Sequence, residues 1–375
     1  LHPQKLKKVM KHYLTYKQLL IFLIAILNIT IVYAQLESSD SLKIDSIINK
    51  LYNEGKIHGG ILVAEGEKVI YQNAFGKADR TLDLPNTVKT RFVINSMGKM
   101  FTAVLTLQLV EDGLITLSDP ISKHLPWFTH PRANDITIHH LLSHRSGLKG
   151  YFDEQIKEDL EFFLPQREVL DKMAMLELNF EPGTGFDYTN TGYLLLGEVI
   201  MKYREADYYT VENQRIFLPL GMNSTYNSTS IYGPGSSVYY LQNGSPATPF
   251  PHGNYRGDGG EKSTLQDLHK FMVALGNDKL LKPESWNLMF QKHSYPKEAS
   301  RPFGAHFEPY GYGCSVMDLP FKGENKALAI GHGGAGYGSS NYMLKFIESN
   351  RIIIHWNNEF LTPLPPELLE ELAKL

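Results

Sequence analysis

A serine and a lysine stand three residues apart in the stretch INSMGKMFTAVLTLQLV, residues 94–110. Residues three apart on a helix share a face, so a helix beginning near Ser96 sets the amine of Lys99 beside the hydroxyl. Those two groups can act as a nucleophile and its proton acceptor. A lysine at the mouth of a buried helix loses solvation, and desolvation favours the neutral amine, which can take a proton. The following residues, Met100, Phe101, Val104, Leu105, Leu107 and Leu109, are too apolar for a surface helix. The plain alternative is a capping serine and a solvated lysine, since serine is a favoured N-cap residue. S-x-x-K occurs often by chance, so its weight depends on partners.

Two further stretches supply them. EPGTGFDYTNTGY, residues 181–193, puts Tyr188 and Asn190 in a loop just before a helix. A Pro-Gly turn followed by an Asn or Thr cap explains that pattern equally well when it is taken alone. IGHGGAGYGSS, residues 330–340, puts His332 and two glycines between two strand-like runs. Taken alone it reads as a flexible hairpin connection.

Together, in this order and at these separations, S-x-x-K, Y-x-N and H-G-G resemble the serine β-lactamase and penicillin-binding-protein superfamily in its class C-like branch. That branch holds class C β-lactamases, D-alanyl-D-alanine carboxypeptidases, D-aminopeptidases and esterases. DITIHHLLSHRSGL, IFLPLGMNST and GGEKSTLQDLHKF look like the family's framework segments, and the resemblance runs from about Leu42 to Asn357. It implies that Ser96 attacks an amide or ester carbonyl and that water releases the acyl-enzyme. Lys99 and Tyr188 are both candidates for taking the serine's proton. Holding a tyrosine as phenolate near neutral pH needs roughly 4 kcal/mol, which one ammonium at hydrogen-bond distance can supply. By the same resemblance, Asn190 orients Lys99 and bonds the substrate amide. The backbone N–H groups of Ser96 and Ala335 form the oxyanion hole, and Gly333 and Gly334 let the strand approach the substrate. No cofactor and no metal is implied.

His332 departs from the pattern. The family's β-lactamases and carboxypeptidases usually carry lysine there, whose charge meets the substrate carboxylate. An unperturbed histidine is only about a quarter charged at pH 7. The expected substrate is therefore a peptide, a D-amino-acid derivative or a small ester. β-Lactamase or D-Ala-D-Ala carboxypeptidase activity is the alternative. A non-catalytic penicillin-recognition or sensor protein on the same fold is the alternative from another class.

Other patterns carry less. His140 and His144 stand four apart on an expected helix, a spacing zinc can use, but there is no HExxH glutamate and no evident third ligand. GDGGEKST, from Gly257, resembles a phosphate-binding loop, yet Glu261 takes a required glycine's place and no strand leads in. Cys314 is the only cysteine, which excludes an intrachain disulfide and a thiolate metal cluster. It lies in a strand-like run and reads as a packed structural thiol.

The elements around these residues give an α/β layout of the α+β kind. Helical periodicity covers SLKIDSIINKLYNEG and ends at Gly55; strands follow at Ile61–Ala64 and Val69–Asn73 around a Gly66 turn. Helices are expected at Ser96–Asp112, around His139–Leu142, at Arg167–Leu176, at Thr191–Tyr203 and in STLQDLHKFMVAL. GYGYGCSVMD, KALAIGHGG, SSNYMLKFIE and NRIIIHWNN read as strands, and Pro366–Leu375 as a closing helix. Residues 223–260 form a long irregular segment, of the kind that often makes a wall or lid. Strands at both ends with helices between them point to one antiparallel sheet built from both termini, with a mostly helical insert. The sheet takes about 41–76 and 305–360, and the insert about 96–300.

The N-terminal residues read as an address label. Met10 opens a basic region with Lys11 and Lys17, Leu19–Leu27 is apolar, and VYA precedes a cleavage site after Ala34. Export to the periplasm or medium is expected, with residues 1–34 excluded from a hydrolase domain at 35–375. An uncleaved membrane anchor is the alternative. A net charge of −3 gives no electrostatic case for nucleic acid. The remaining partner is a small-molecule or peptide substrate.

Overall fold

The computed structural model describes residues 39–151, 164–227, 235–247, 255–295, 309–321, 324–336, 338–359, 369 and 371–372. The segment expected to direct export lies outside the described residues, and so does most of the expected closing helix. Contacts divide the chain into Leu1–Lys50 and Leu51–Leu375. A helix begins at residue 39 in the first unit and ends at residue 53. Everything that follows concerns the second unit.

Its centre is a six-stranded sheet in the order β2-β1-β11-β10-β9-β8. The strands are β1 (Gly59–Glu65), β2 (Lys68–Ala74), β8 (Ser315–Phe321), β9 (Glu324–Gly336), β10 (Ser339–Phe346) and β11 (Arg351–Asn357). All pairings are antiparallel. Ile61–Ala64 of β1 and Ile352–Ile354 of β11 are buried throughout, so their apolar runs lack the alternation of a half-solvated strand. β2, at the edge, exposes Lys68, Val69 and Gln72. Strands from the first and last parts of the unit thus meet at the sheet's centre, the arrangement the sequence led us to expect.

The helices are α1 (Lys99–Glu111), α2 (Ile121–His124), α3 (Ile138–Leu142), α4 (Gln166–Met173), α5 (Asn190–Arg204), α6 (Tyr208–Glu212), α7 (Leu218–Leu220), α8 (Leu265–Ala274) and α9 (Pro283–Met289). α8 is capped by Thr264, whose hydroxyl accepts the N–H of Asp267, and it lays Leu265, Leu268, Phe271 and Met272 toward the core. It packs on β1, β10 and β11. α1 is buried along its length from Lys99 to Gln108, so it has no solvent face, and it packs on α5. Small strands β5 (Phe92–Val93), β6 (Tyr226–Asn227) and β7 (Glu261–Ser263) pair beside its start. Two-residue β4 (Leu84–Pro85) pairs with β3 (Lys77–Asp79).

Two details differ from expectation. The GYGYGCSVMD run becomes strand only at Ser315. Gly313, with φ +69°, turns so close to α1 that a Cβ there would stand 2.6 Å from the carbonyl oxygen of Lys99. Cys314 therefore precedes the strand; it is fully buried, and burial pushes its thiol up. His140 and His144 do not share a helix face either. α3 ends at Leu142, and His144 lies beyond it with φ +56°. His140 instead serves the α3 capping box with Thr137.

Candidate active site

Ser96 does not cap a helix. It sits inside a 3₁₀ turn, Asn95–Gly98, that runs directly into α1. The turn is entered through Asn95 in the left-handed region, φ +52°, which asparagine tolerates better than most residues. The Asn95 amide donates to the Ser339 hydroxyl at 3.0 Å. The Asn341 amide donates to the Val93 carbonyl at 2.7 Å. These bonds from β10 fix the turn against the sheet.

Lys99 is wholly buried. Its amine donates to Ser96 Oγ at 3.2 Å and to the backbone carbonyl of Asp258 at 2.8 Å. It stands 5.0 Å from the ring centre of Tyr188 and 5.5 Å from that of Tyr193. Tyr188 is half-buried. Its ring lies 4.3 Å from that of His144 and 6.0 Å from that of His332. The Nδ1 of His144 accepts the N–H of Thr189 at 3.2 Å, and the hydroxyl of Thr189 caps α5. His144 thus fixes the loop that presents Tyr188.

Asn190 opens α5. Its amide bonds the hydroxyl of Tyr151, and its carbonyl oxygen is buried without a hydrogen-bond partner among the described residues. The expected bond from Asn190 to Lys99 is not seen; the Asp258 carbonyl orients the amine instead. The Tyr151 hydroxyl donates to the Asp258 carboxylate. Burial raises the pKa of that carboxyl, and Lys99 and Tyr151 oppose the rise.

β9 brings the last motif alongside. β8 pairs with β9 only as far as Gly331, whereas β10 continues to Gly336. Residues 332–336 therefore leave one edge of β9 without a described strand neighbour. His332 is buried and its Nε2 lies 2.9 Å from the Tyr310 hydroxyl. Gly334 packs on the serine turn, and a Cβ there would collide with the carbonyl oxygen of Ile94. Gly333 is less confined, with the Tyr342 ring 3.4 Å from a would-be Cβ. Ala335 follows, exposed. Ser96, Lys99 and Tyr188 thus form one cluster, with His332 beside Tyr188 and Gly334 beneath the serine turn.

Sequence reasoning missed Asp258, Tyr310, His144 and Tyr151. Asp258 belongs to the GDGG stretch set aside as a false phosphate loop. Gly257, Gly259 and Gly260 all have positive φ, and a Cβ at Gly259 would collide with the carbonyl of Asn95. The glycines let this loop pass close beneath the serine turn.

The profile of the Beta-lactamase family matches residues 44–354. Penicillin-binding protein 4* of Bacillus subtilis (strain 168) is 28% identical over 335 residues, 84% of this chain and 71% of its own length. The octameric penicillin-binding protein homologue from Pyrococcus abyssi superposes with a TM-score of 0.74 at 28% identity, over 88% of this chain and 75% of its own. D-amino acid amidase from Ochrobactrum anthropi SV3 has the same fold, with a TM-score of 0.73 at 24% identity, over 90% and 96% of the two chains. The matched span reaches from within the N-terminal helix into β11 and takes in the serine turn, the Tyr188 loop and β9: the chain belongs to the Beta-lactamase family of serine hydrolases.

Proposed function

We propose that the protein is an exported hydrolase that acts through an acyl-enzyme at Ser96 on an amide or ester, its substrate a peptide, a D-amino-acid derivative or a small ester. The observation that carries this reading is the Ser96–Lys99 contact of 3.2 Å at the start of a buried helix, with the Tyr188 ring 5.0 Å from the same amine. Ser96 Oγ attacks the carbonyl carbon and its proton passes to Lys99 or Tyr188. The leaving amine or alcohol takes a proton from the same pair, and water then releases the acyl group. The Ser96 and Ala335 N–H groups stabilise the oxyanion. Asn190 and His332 contact the substrate, and the β9 edge that has no strand neighbour among the described residues gives an extended substrate a strand to pair with.

Export is supported by the basic, apolar and small-residue order of residues 10–34. No described helix is long and apolar enough to cross a membrane. N-terminal sequencing of envelope protein is expected to begin near Gln35.

Penicillin or D-Ala-D-Ala recognition is the second reading, favoured by the penicillin-binding proteins among the relatives. A panel of nitrocefin, p-nitrophenyl esters and D-alanine p-nitroanilide separates the two. Ser96→Ala is expected to fold normally and to lose turnover on every substrate in that panel. Esterase activity surviving in a folded Ser96→Ala protein sinks the assignment, and a long-lived penicillin adduct without turnover favours a sensor.

A further inference from the structure

Tyr310 is buried where several parts of the candidate site meet. Its ring lies 4.8 Å from that of His144, 6.1 Å from that of Phe186 and 6.2 Å from that of Tyr188. Its backbone is held by an antiparallel bridge to Ser294. The Tyr310 N–H donates to the Ser294 carbonyl at 2.9 Å, and the N–H groups of His293 and Ser294 donate to the Tyr310 carbonyl at 2.9 and 3.1 Å. The Ser294 hydroxyl in turn donates at 2.7 Å to the carbonyl of Ser143, the residue before His144. Ring and backbone together fix the Tyr310 hydroxyl, and they fix it 2.9 Å from Nε2 of His332.

An imidazole nitrogen has one in-plane position for a hydrogen bond, as donor or as acceptor. Both positions of His332 are filled. Nδ1 bonds the Gly333 carbonyl, which can only accept, so Nδ1 carries a proton. Nε2 bonds the Tyr310 hydroxyl. On a neutral ring Nε2 accepts and Tyr310 donates. On a protonated ring Nε2 donates, and the Tyr310 proton turns to the hydroxyl of Tyr193, which it also meets. Tyr193 can receive it. Its own O–H donates to the Leu142 carbonyl at 2.8 Å, which leaves its oxygen to accept from Tyr310 and from the Gly313 N–H. Tyr310 therefore keeps Nε2 occupied in either state of the ring.

We propose that Tyr310 is a positioning residue that sets the substrate class: by keeping Nε2 of His332 bonded inside the protein, it leaves neither ring nitrogen for a substrate carboxylate, and the site takes uncharged esters or amides whose end beside His332 is apolar. The proposal rests on the acyl-transfer reading above, which lays the substrate along β9. A carboxylate seeking Nε2 has to displace a buried hydroxyl that ring packing and three backbone bonds hold in place. That exchange trades one hydrogen bond for another and strands the displaced hydroxyl, so it returns little.

The test compares nitrocefin, which carries a carboxylate, with p-nitrophenyl acetate, which does not. Nitrocefin is read as a substrate or, where its turnover is slow, as a competitor of ester hydrolysis. Tyr310→Phe keeps the ring and removes only the hydroxyl. It is expected to lower the KM or inhibition constant of nitrocefin about tenfold relative to the KM of the ester, the effect of one hydrogen bond to a charged group. In a His332→Phe background the same substitution is expected to leave that ratio where it was, since no ring nitrogen is there to release. A Tyr310→Phe enzyme that loses both substrates alike, or whose ratio is unmoved, shows a packing role only and overturns the proposal. A ratio that shifts equally in the His332→Phe background overturns it too. Nitrogen-15 NMR of histidine-labelled wild type gives a readout that needs no turnover and no Tyr310 variant, with the His332 signals identified by their loss in His332→Phe. The neutral ring is expected in the Nδ1–H form, and an Nε2–H form overturns the lock. If instead Ser96→Ala retains activity, the acyl-transfer reading fails, while the tautomer still reports on the Tyr310 bond.

Discussion

His332 is the residue expected to set this chain's choice of substrate. A lysine in its place would offer a fixed charge, whereas the imidazole is turned into a hydrogen bond with Tyr310. His332→Lys is expected to shift preference toward carboxylate-bearing substrates by about 1–3 kcal/mol, the worth of a charge-assisted hydrogen bond. The measurement is the ratio of kcat/KM for nitrocefin and an uncharged ester; a ratio unmoved by the exchange refutes this account of the site. Lys99→Ala and Tyr188→Phe should each lower kcat by about 10²–10⁴, the usual contribution of an acid–base group. An effect below tenfold in both would leave the serine without an acceptor among the residues beside it. That Ser96, Lys99 and Tyr188 would come together was legible, because their side chains stand at telling spacings. Asp258 was not, because it grips Lys99 through a backbone carbonyl that every residue type possesses. Tyr310 was not, because only the fold brings it across to His332.

Among the elements, β9 and the serine turn depend on one another. Gly334 faces the carbonyl of Ile94 and admits no side chain, while Gly333 has an ordinary van der Waals margin. Gly334→Ala should therefore push the turn off the strand and cut both stability and activity, by the 1–3 kcal/mol typical of overpacking. Gly333→Ala should fold nearly as well as wild type. Thermal melts and ester kinetics of the two variants check this, and equal losses would mean that the close approach is unimportant. The strands and long helices were legible from their periodicity. The entry into α1 was not, since the left-handed Asn95 and the 3₁₀ turn answer to contacts with β10 and the 257–260 loop rather than to local propensity. Gly313 likewise delays β8 because α1 lies against it.

The whole molecule carries an acid-sensitive group at its core. His355 on β11 is buried, its Nε2 lies 3.1 Å from the Asn357 side-chain oxygen, and its Nδ1 has no partner among the described residues. Burial lowers its pKa to about 4. In the unfolded chain the imidazole takes a proton near pH 6.5, so acid favours unfolding between 6.5 and 4. Stability from this group is complete above pH 6.5 and falls by up to about 1.4 kcal/mol per pH unit across that window. Urea melts should show this slope in wild type and a flatter one in His355→Leu; identical slopes would clear His355 of the effect.

The central pairing of β1 with β11 joins Gly59 to Asn357 and Glu65 to Arg351. On a ribosome, the β1–β2 hairpin emerges early and must wait for nearly the whole chain before its neighbour exists. Until then the inner edge of β1, with its run of Ile61, Leu62 and Val63, is an unpaired apolar template of the kind that recruits other chains. The entropy cost of closing so long a loop grows only logarithmically with its length, but contacts this distant in sequence slow the search. Synthesis in a crowded host is thus more hazardous for this protein than its finished sheet implies. A chain terminated before β11 would expose that edge permanently, so nonsense products are expected in the insoluble fraction rather than as partly active enzyme.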